Sequence, residues 1–132
     1  LEGLAVADCA EFEEWLGEAR ERLAADGRRA LQALVDAQRA AGRHAAAAET
    51  AQRLALIDPW DEAAQRQLMS VLAEGGRGEQ ALGVFERLRA SLAGELGSEP
   101  ERATIALRDA IAAAPRPAPR AMAPSGPGLG LR

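Results

Sequence analysis

The sequence partly repeats itself after 34 residues, and this period is its most constraining feature. Gly42-Arg43 falls on Gly76-Arg77. The apolar positions around these pairs also coincide, namely Leu34 with Leu68, Ala47 with Ala81, Ala51 with Phe85 and Leu54 with Leu88. Apolar residues recur at steps of three and four, which is typical of amphipathic helices, and no stretch alternates cleanly at a period of two. We therefore predict an all-α fold in which a glycine turn joins two helices in each period.

A repeat of this length, with glycine in the turn and alanine five positions later, resembles a tetratricopeptide repeat. One helical hairpin cannot bury its apolar face alone, so successive hairpins stack. The expected fold is a set of about six helices arranged as tetratricopeptide-like stacked hairpins, in a short right-handed solenoid or bundle. The alternative is an ordinary helical bundle with coincidental spacing. We favour the repeat because the matches fall at turn and close-packing positions.

The first helix is predicted to begin near Cys9, because Asp8 and Glu11 have the spacing of a capping box. Its apolar positions continue through Ala30, Leu34 and Ala37, after an initial series at Phe12, Leu16, Ala19 and Leu23. Trp15 lies beside this series, so we expect it in the core. Gly27 either ends the helix or lies within it at a cost of about 1 kcal/mol relative to alanine. We favour a continuous helix because the apolar pattern keeps its phase.

Proline and glycine delimit the later helices. The predicted boundaries are an Asp58 cap with Pro59 at the first helical position, a stop at Gly75-Gly76, breaks at Gly94 and Gly97, and a capping box at Ser98-Glu99-Pro100-Glu101. The predicted core consists of Ala47, Ala51, Leu54, Leu68, Val71, Leu72, Ala81, Leu82, Phe85, Leu88, Leu92, Ile105, Leu107, Ala110 and Ile111. We divide the chain into a helical domain, 1–114, and a Pro/Gly-rich linker or tail, 115–132.

The charge of the chain is acidic and unevenly distributed. The formal net charge is −4, and eight acidic residues face two arginines between Leu1 and Asp26. This balance argues against direct binding of nucleic acid, which uses clustered Lys and Arg. The single cysteine is compatible with a reducing cytoplasm, and no apolar run approaches the ~20 residues of a membrane span. We expect a cytoplasmic protein, and the start at Leu1 without Met suggests that it was cut from a longer one.

The sequence offers little for catalysis. It holds one cysteine, Cys9, and one histidine, His44, which we place on different helices. Cys9 is more plausible as a small apolar residue than as a nucleophile, and His44 lacks metal-ligand partners at helical spacing. Gly75-Gly76-Arg77-Gly78 lacks the Lys and Ser/Thr of a phosphate-binding loop. We predict that the chain is not an enzyme and uses no cofactor and no metal.

A protein-binding surface is more plausible. If the repeats stack, the first helix of each hairpin lines a concave groove, with Arg29, Gln32, Asp36 and Arg39 in one repeat and Arg66, Ser70 and Glu74 in the next. Arg66 suits carboxylate recognition, although an intramolecular salt bridge to Asp61, Glu62 or another nearby acid is an equal alternative. Trp60, in the turn after Pro59, either covers the repeat junction or contacts a partner as an exposed aromatic residue.

From about Leu1 to Ile111 the chain resembles the bacterial transcriptional activator domain, and the stretch from Leu54 to Thr104 carries most of its motif. Its motif appears as Asp58-Pro59, Asp61-Glu62, Arg66-Gln67-Leu68-Met69, Gly76-Arg77, Ala81-Leu82, Leu96-Gly97, Pro100 and Thr104, and Phe12, Trp15 and Leu16 match its usual entry. Phe85 stands where the family often has Tyr.

The resemblance implies a non-catalytic regulatory module of a transcriptional regulator, binding DNA only through an upstream winged helix. Its expected partners are its own flanking domains, the transcription machinery or a second subunit, including a possible homodimer, with no contact to membranes. The alternative is a free-standing adaptor that binds a peptide in its groove.

Overall fold

The computed structural model describes residues 6–115, with side chains from residue 9 onward, and this part of the chain is all-α. Its elements are α1 (Val6–Ala40), α2 (His44–Ile57), α3 (Glu62–Glu74), α4 (Gly78–Ser91), a π-helical segment (Leu92–Leu96) and α5 (Arg102–Ala113). α1 is continuous through Gly27, so the described residues form five α-helices where about six were expected. The predicted tail, 115–132, lies outside the described residues apart from Pro115.

The 34-residue repeat is present in three dimensions. α2 and α4 have the same length and begin 34 positions apart. Gly42 and Gly76 both have positive φ, 75° and 81°. The residue after each glycine donates its backbone N–H to the preceding helix, from Arg43 to the Gln38 carbonyl and from Arg77 to the Leu72 carbonyl, both at 2.8 Å. Each hairpin therefore turns through the same glycine-dependent corner.

The core lies where the helices of the two hairpins meet. α2 packs against both α1 and α3, and α5 packs against α3 and α4. Most of the predicted positions on α2, α3 and α4 are confirmed, since Ala47, Ala51, Leu68, Val71, Ala81 and Phe85 are at most 2% exposed. Leu82 of α4 is only half-buried. Ile105, Leu107 and Ile111 of α5 pack half-buried against this core, whereas Ala110 is exposed.

The prediction that Trp15 belongs to the core was wrong, because Trp15 is 55% exposed and, among the described residues, its ring stacks on that of Phe12, with ring centroids 6.0 Å apart. The reason is length. The 35 residues of α1 extend about 52 Å, whereas the 14 residues of α2 cover about 21 Å. Leu34 is likewise 44% exposed although its repeat equivalent Leu68 is 2% exposed. The difference arises because α3 packs against helices on two sides, whereas α1 packs mainly against α2.

Several predicted helix boundaries were also wrong. Asp8 lies inside α1, which begins two residues earlier. Asp61, not Asp58, caps α3, since its carboxylate accepts hydrogen bonds from the backbone of Ala63 and Ala64. Gly94 lies within the π-helical segment, and Gly97, with φ of 63°, is the residue that ends it. Glu101 stands at the N-cap of α5 and makes no side-chain cap.

Candidate partner-binding groove

A cleft of about 470 Å³ lies beside α1 and α3, and the C-terminal end of α2 contributes its apolar floor. Its lining residues are Arg28, Arg29, Gln32, Leu54, Ile57, Asp58, Asp61, Ala63, Ala64 and Gln67. The two arginines come from α1, and the two aspartates come from the turn that ends in the Asp61 cap of α3. The groove therefore has an apolar floor, a cationic edge and an anionic edge.

Hydrogen bonds hold the polar edges in place. Asp61 accepts from the Ala63 and Ala64 N–H groups at 3.1 and 3.4 Å, and Asp58 accepts from the Trp60 N–H at 3.2 Å. On the other edge Arg29 forms an ion pair with Asp26. The Gln32 amide donates to Asp36 at 3.0 Å. Arg28 has no such contact described.

An ion pair joins α1 to α3 beyond this cleft. The guanidinium of Arg39 donates through Nε to a carboxylate oxygen of Glu74 at 3.1 Å, and a second contact involves its other nitrogen. The hydrogen bond with Glu74 raises the pKa of Arg39 above its ordinary value, so the cation persists. The two side chains are 32% and 40% exposed, so solvent screens the pair and its contribution to stability is small.

Arg66 points to α5 instead of the cleft. Its guanidinium donates to the Glu101 carboxylate and to the Thr104 hydroxyl, both at 2.9 Å. This arrangement agrees with the salt-bridge interpretation, with Glu101 as the acid. Ser70 follows one turn later on α3 and is half-buried.

Of the predicted groove residues, the structure brings Arg29 and Gln32 into the cleft. It places Asp36, Arg39 and Glu74 further along, and Arg66 in a contact between helices.

A polar cluster at the α3–α5 contact was missed by sequence reasoning. Glu62 accepts hydrogen bonds from the Thr104 hydroxyl at 2.6 Å and from the Glu101 N–H at 2.9 Å. Thr104 is fully buried, and it also accepts from Arg66. Glu62, Arg66, Glu101 and Thr104 thus form one network, the α3–α5 network. The signal in the sequence was that Glu62, Arg66 and Thr104 are all positions of the motif given above, but their spacing along the chain does not show that they meet.

Trp60 connects the α2–α3 turn to the end of α4. Its indole N–H donates to the Ser91 hydroxyl at 3.2 Å, and the residue remains 44% exposed. Trp60 therefore covers a junction between the hairpins, as one of its two interpretations predicted. Its remaining exposed surface is available to a partner.

Cys9 and His44 are far apart. Cys9 lies near the start of α1 and His44 begins α2 just after the other end of α1, roughly 50 Å away along the α1 axis, so the two do not form a dyad within one chain. His44 is half-buried beside Gly75, where an added Cβ would come within 2.9 Å of the histidine Cβ. Residues 6–115 contain no group of three side chains suited to hold a metal ion, and none of their helices is long and apolar enough to cross a membrane.

A larger cleft of about 670 Å³ lies between the start of α4 and the end of α5. Its wall includes Pro115, the last described residue. The cleft beside α1 and α3 is the better candidate because Arg29 and Gln32, which were predicted to line a groove, line its wall.

Comparison with protein families identifies the chain. The model of the bacterial transcriptional activator domain matches residues 2–112, which include all five helices except the last residue of α5. Comparison with curated proteins and with solved structures gave no match. The tetratricopeptide-like hairpins agree with this family. The chain, whose helical part is covered almost completely by the match, belongs to the bacterial transcriptional activator domain family.

Proposed function

We propose that the chain is a non-catalytic regulatory module of a cytoplasmic transcriptional regulator that acts through contacts with proteins and does not bind DNA itself. The observation that carries this proposal is the groove beside α1 and α3, which belongs to a domain of a transcription-regulator family. An apolar floor between edges of opposite charge suits a segment of a protein partner. The partner is the transcription machinery, a flanking domain or a second subunit.

The charge of the chain supports the proposal that it does not bind DNA itself. With a formal net charge of −4, the chain is repelled by phosphates unless arginines gather on one surface. Arg39, Arg66, Arg89 and Arg108 are each paired with a carboxylate in the structure. We therefore expect the isolated chain to show no salt-dependent binding to duplex DNA in fluorescence anisotropy.

The test of the regulatory role tethers the chain to a heterologous DNA-binding protein upstream of a reporter promoter. We expect the tethered chain to change transcription relative to the DNA-binding protein alone. Arg28→Glu, which reverses charge at the groove edge, should reduce this effect several-fold. Arg53→Glu, on the exposed side of α2, is the matched control and should retain it. Unchanged transcription with the tethered wild-type chain would contradict the regulatory role.

The same groove also supports a second candidate, a free-standing peptide-binding adaptor. Its volume of about 470 Å³ lies in the range of ordinary ligand sites. An adaptor would bind its peptide in solution and leave the tethered reporter unchanged. Thus Arg28→Glu would weaken peptide binding under either function, and only the reporter assay separates the two.

A further inference from the structure

α1 carries a row of apolar residues that no described element covers fully. We call this row the α1 stripe: Phe12, Leu16, Ala19, Leu23, Ala30 and Leu34. Leu23 is 70% exposed, Phe12 59% and Leu34 44%. Isolated exposed apolar residues are ordinary, but several on one face of a helix are typical of a contact surface.

The α1 stripe is separate from the groove and from the core. At 100° per residue, Phe12 and Leu34 both lie within about 20° of Leu23 around the helix, whereas Gln32 lies half a turn away. Val35, which is fully buried in the core, lies about 120° from Leu23. A partner on the α1 stripe would therefore leave the groove open.

The spacing of the α1 stripe is the same in both directions from Leu23. Going backward, the steps are four, three and four residues to Ala19, Leu16 and Phe12. Going forward, the same steps reach Gly27, Ala30 and Leu34. In an antiparallel pair of α1 helices with a two-fold axis beside Leu23, a residue a given number of positions before Leu23 lies opposite the residue the same number of positions after Leu23 in the other copy. Phe12 then lies opposite Leu34, Leu16 opposite Ala30, and Ala19 opposite Gly27, which lets the helices approach closely.

The charges on α1 favour the antiparallel orientation. Cys9–Leu23 contains five acidic residues and two arginines, a net formal charge of −3. Ala24–Ala40 contains two acidic residues and three arginines, a net formal charge of +1. A parallel pair would bring the two acidic halves together, whereas an antiparallel pair brings each beside the weakly basic half of the other copy. Opposite helix dipoles add to this preference.

We propose that the α1 stripe is an isologous interface at which two copies of this chain pair through antiparallel α1 helices, with the two-fold axis beside Leu23. The inference rests on the proposed function, for which it names a second copy as one partner. The contact runs over about 33 Å of each helix from Phe12 to Leu34. The groove, on the opposite side of α1, stays free for a different partner.

The first test measures mass by light scattering after size exclusion, at micromolar to millimolar concentrations. We expect the wild-type chain to approach about 28 kDa, twice the 13.9 kDa of one copy. Leu23→Glu places two carboxylates together at the axis and should yield the monomer. Leu56→Glu makes the same change at a residue of α2 that is 66% exposed, and it should remain dimeric. Far-UV circular dichroism checks that both variants are helical.

The second test determines orientation by disulfide trapping in a Cys9→Ala background. Phe12→Cys and Leu34→Cys are prepared separately, mixed and oxidised. Because a disulfide needs Cα atoms within about 7 Å, the antiparallel pair should yield the mixed disulfide and little of either self-linked product. Leu56→Cys serves as the control for random collision.

A wild-type chain that stays monomeric at millimolar concentration overturns the proposal, and so does a dimer that persists in Leu23→Glu. Self-linked Phe12→Cys in place of the mixed product overturns the antiparallel orientation. If residues 116–132 cover the α1 stripe, the full chain is monomeric and a chain ending at Pro115 dimerises, which also rejects the proposal for the full chain. None of these results affects the tethered-reporter test, so failure of the interface and failure of the regulatory role are distinguishable.

Discussion

Thr104 shows what one buried hydroxyl does at the contact of α3 with α5. The group donates to Glu62 and accepts from Arg66, so it satisfies an acid and a base that come from the same helix. Buried polar atoms that lose a partner destabilise a protein more than the bond itself stabilised it. The α3–α5 network therefore fixes the position of α5 as well as contributing stability.

Thr104→Val keeps the shape of the side chain and removes its hydroxyl. We expect a loss of about 1–3 kcal/mol in the free energy of unfolding, because Glu62 and Arg66 each lose a hydrogen-bond partner. Thr104→Ser keeps the hydroxyl and should lose less. Urea denaturation followed by circular dichroism measures both variants. Equal losses would show that packing of the methyl group, and not the network, is what Thr104 contributes.

Two leucines of the chain differ strongly in how much of their surface is exposed. Leu68 is 2% exposed in the core, and Leu56 is 66% exposed on α2. Leu68→Ala should destabilise by roughly 2–5 kcal/mol, since it removes apolar contacts and leaves a cavity. Leu56→Ala should stay within about 0.5 kcal/mol of wild type. Comparable melting temperatures for the two variants would contradict the helix register described here.

At the scale of the elements, the turn glycines are required by their backbone conformation, whereas a glycine inside a helix is only accommodated there. Gly42 has φ of 75° and open space around its Cα, so its substitution tests the backbone alone. Gly42→Ala should destabilise by about 1–2 kcal/mol, because a left-handed conformation is costly for alanine. Gly17→Ala, in the interior of α1 and equally open, should stabilise by about 0.5–1 kcal/mol. Thermal unfolding of both variants should therefore give shifts of opposite sign, and shifts of the same sign would contradict the left-handed corner.

The helices and corners were predictable because they follow from local rules. The 34-residue period located the α1–α2 and α3–α4 turns, and helical spacing identified Phe85 and Leu68 as core residues. The exposure of Trp15 could not be predicted in this way, because periodicity shows which face is apolar but not whether a neighbour covers it. The α3–α5 network was missed for a related reason, since Glu62 and Thr104 are 42 positions apart and meet only through packing.

The candidate groove was partly predictable. Stacking of hairpins implied that the first helices line a shared surface, and Arg29 and Gln32 do line the cleft. The rest of its lining comes from the end of α2 and from the turn to α3, including Asp58 and Asp61. These residues could not be assigned to a groove before the relative position of the three helices was known.

At the scale of the whole molecule, stability and assembly become linked if two copies pair through the α1 stripe. A second subunit that binds only the folded chain raises the melting temperature as concentration increases. A tenfold rise in concentration is equivalent to about 1.4 kcal/mol, which for a two-chain helical unit corresponds to a few degrees. Leu23→Glu should melt at a temperature independent of concentration. Differential scanning calorimetry over two decades of concentration makes the comparison, and a wild-type melting temperature that does not change with concentration would show that two copies do not pair through the α1 stripe.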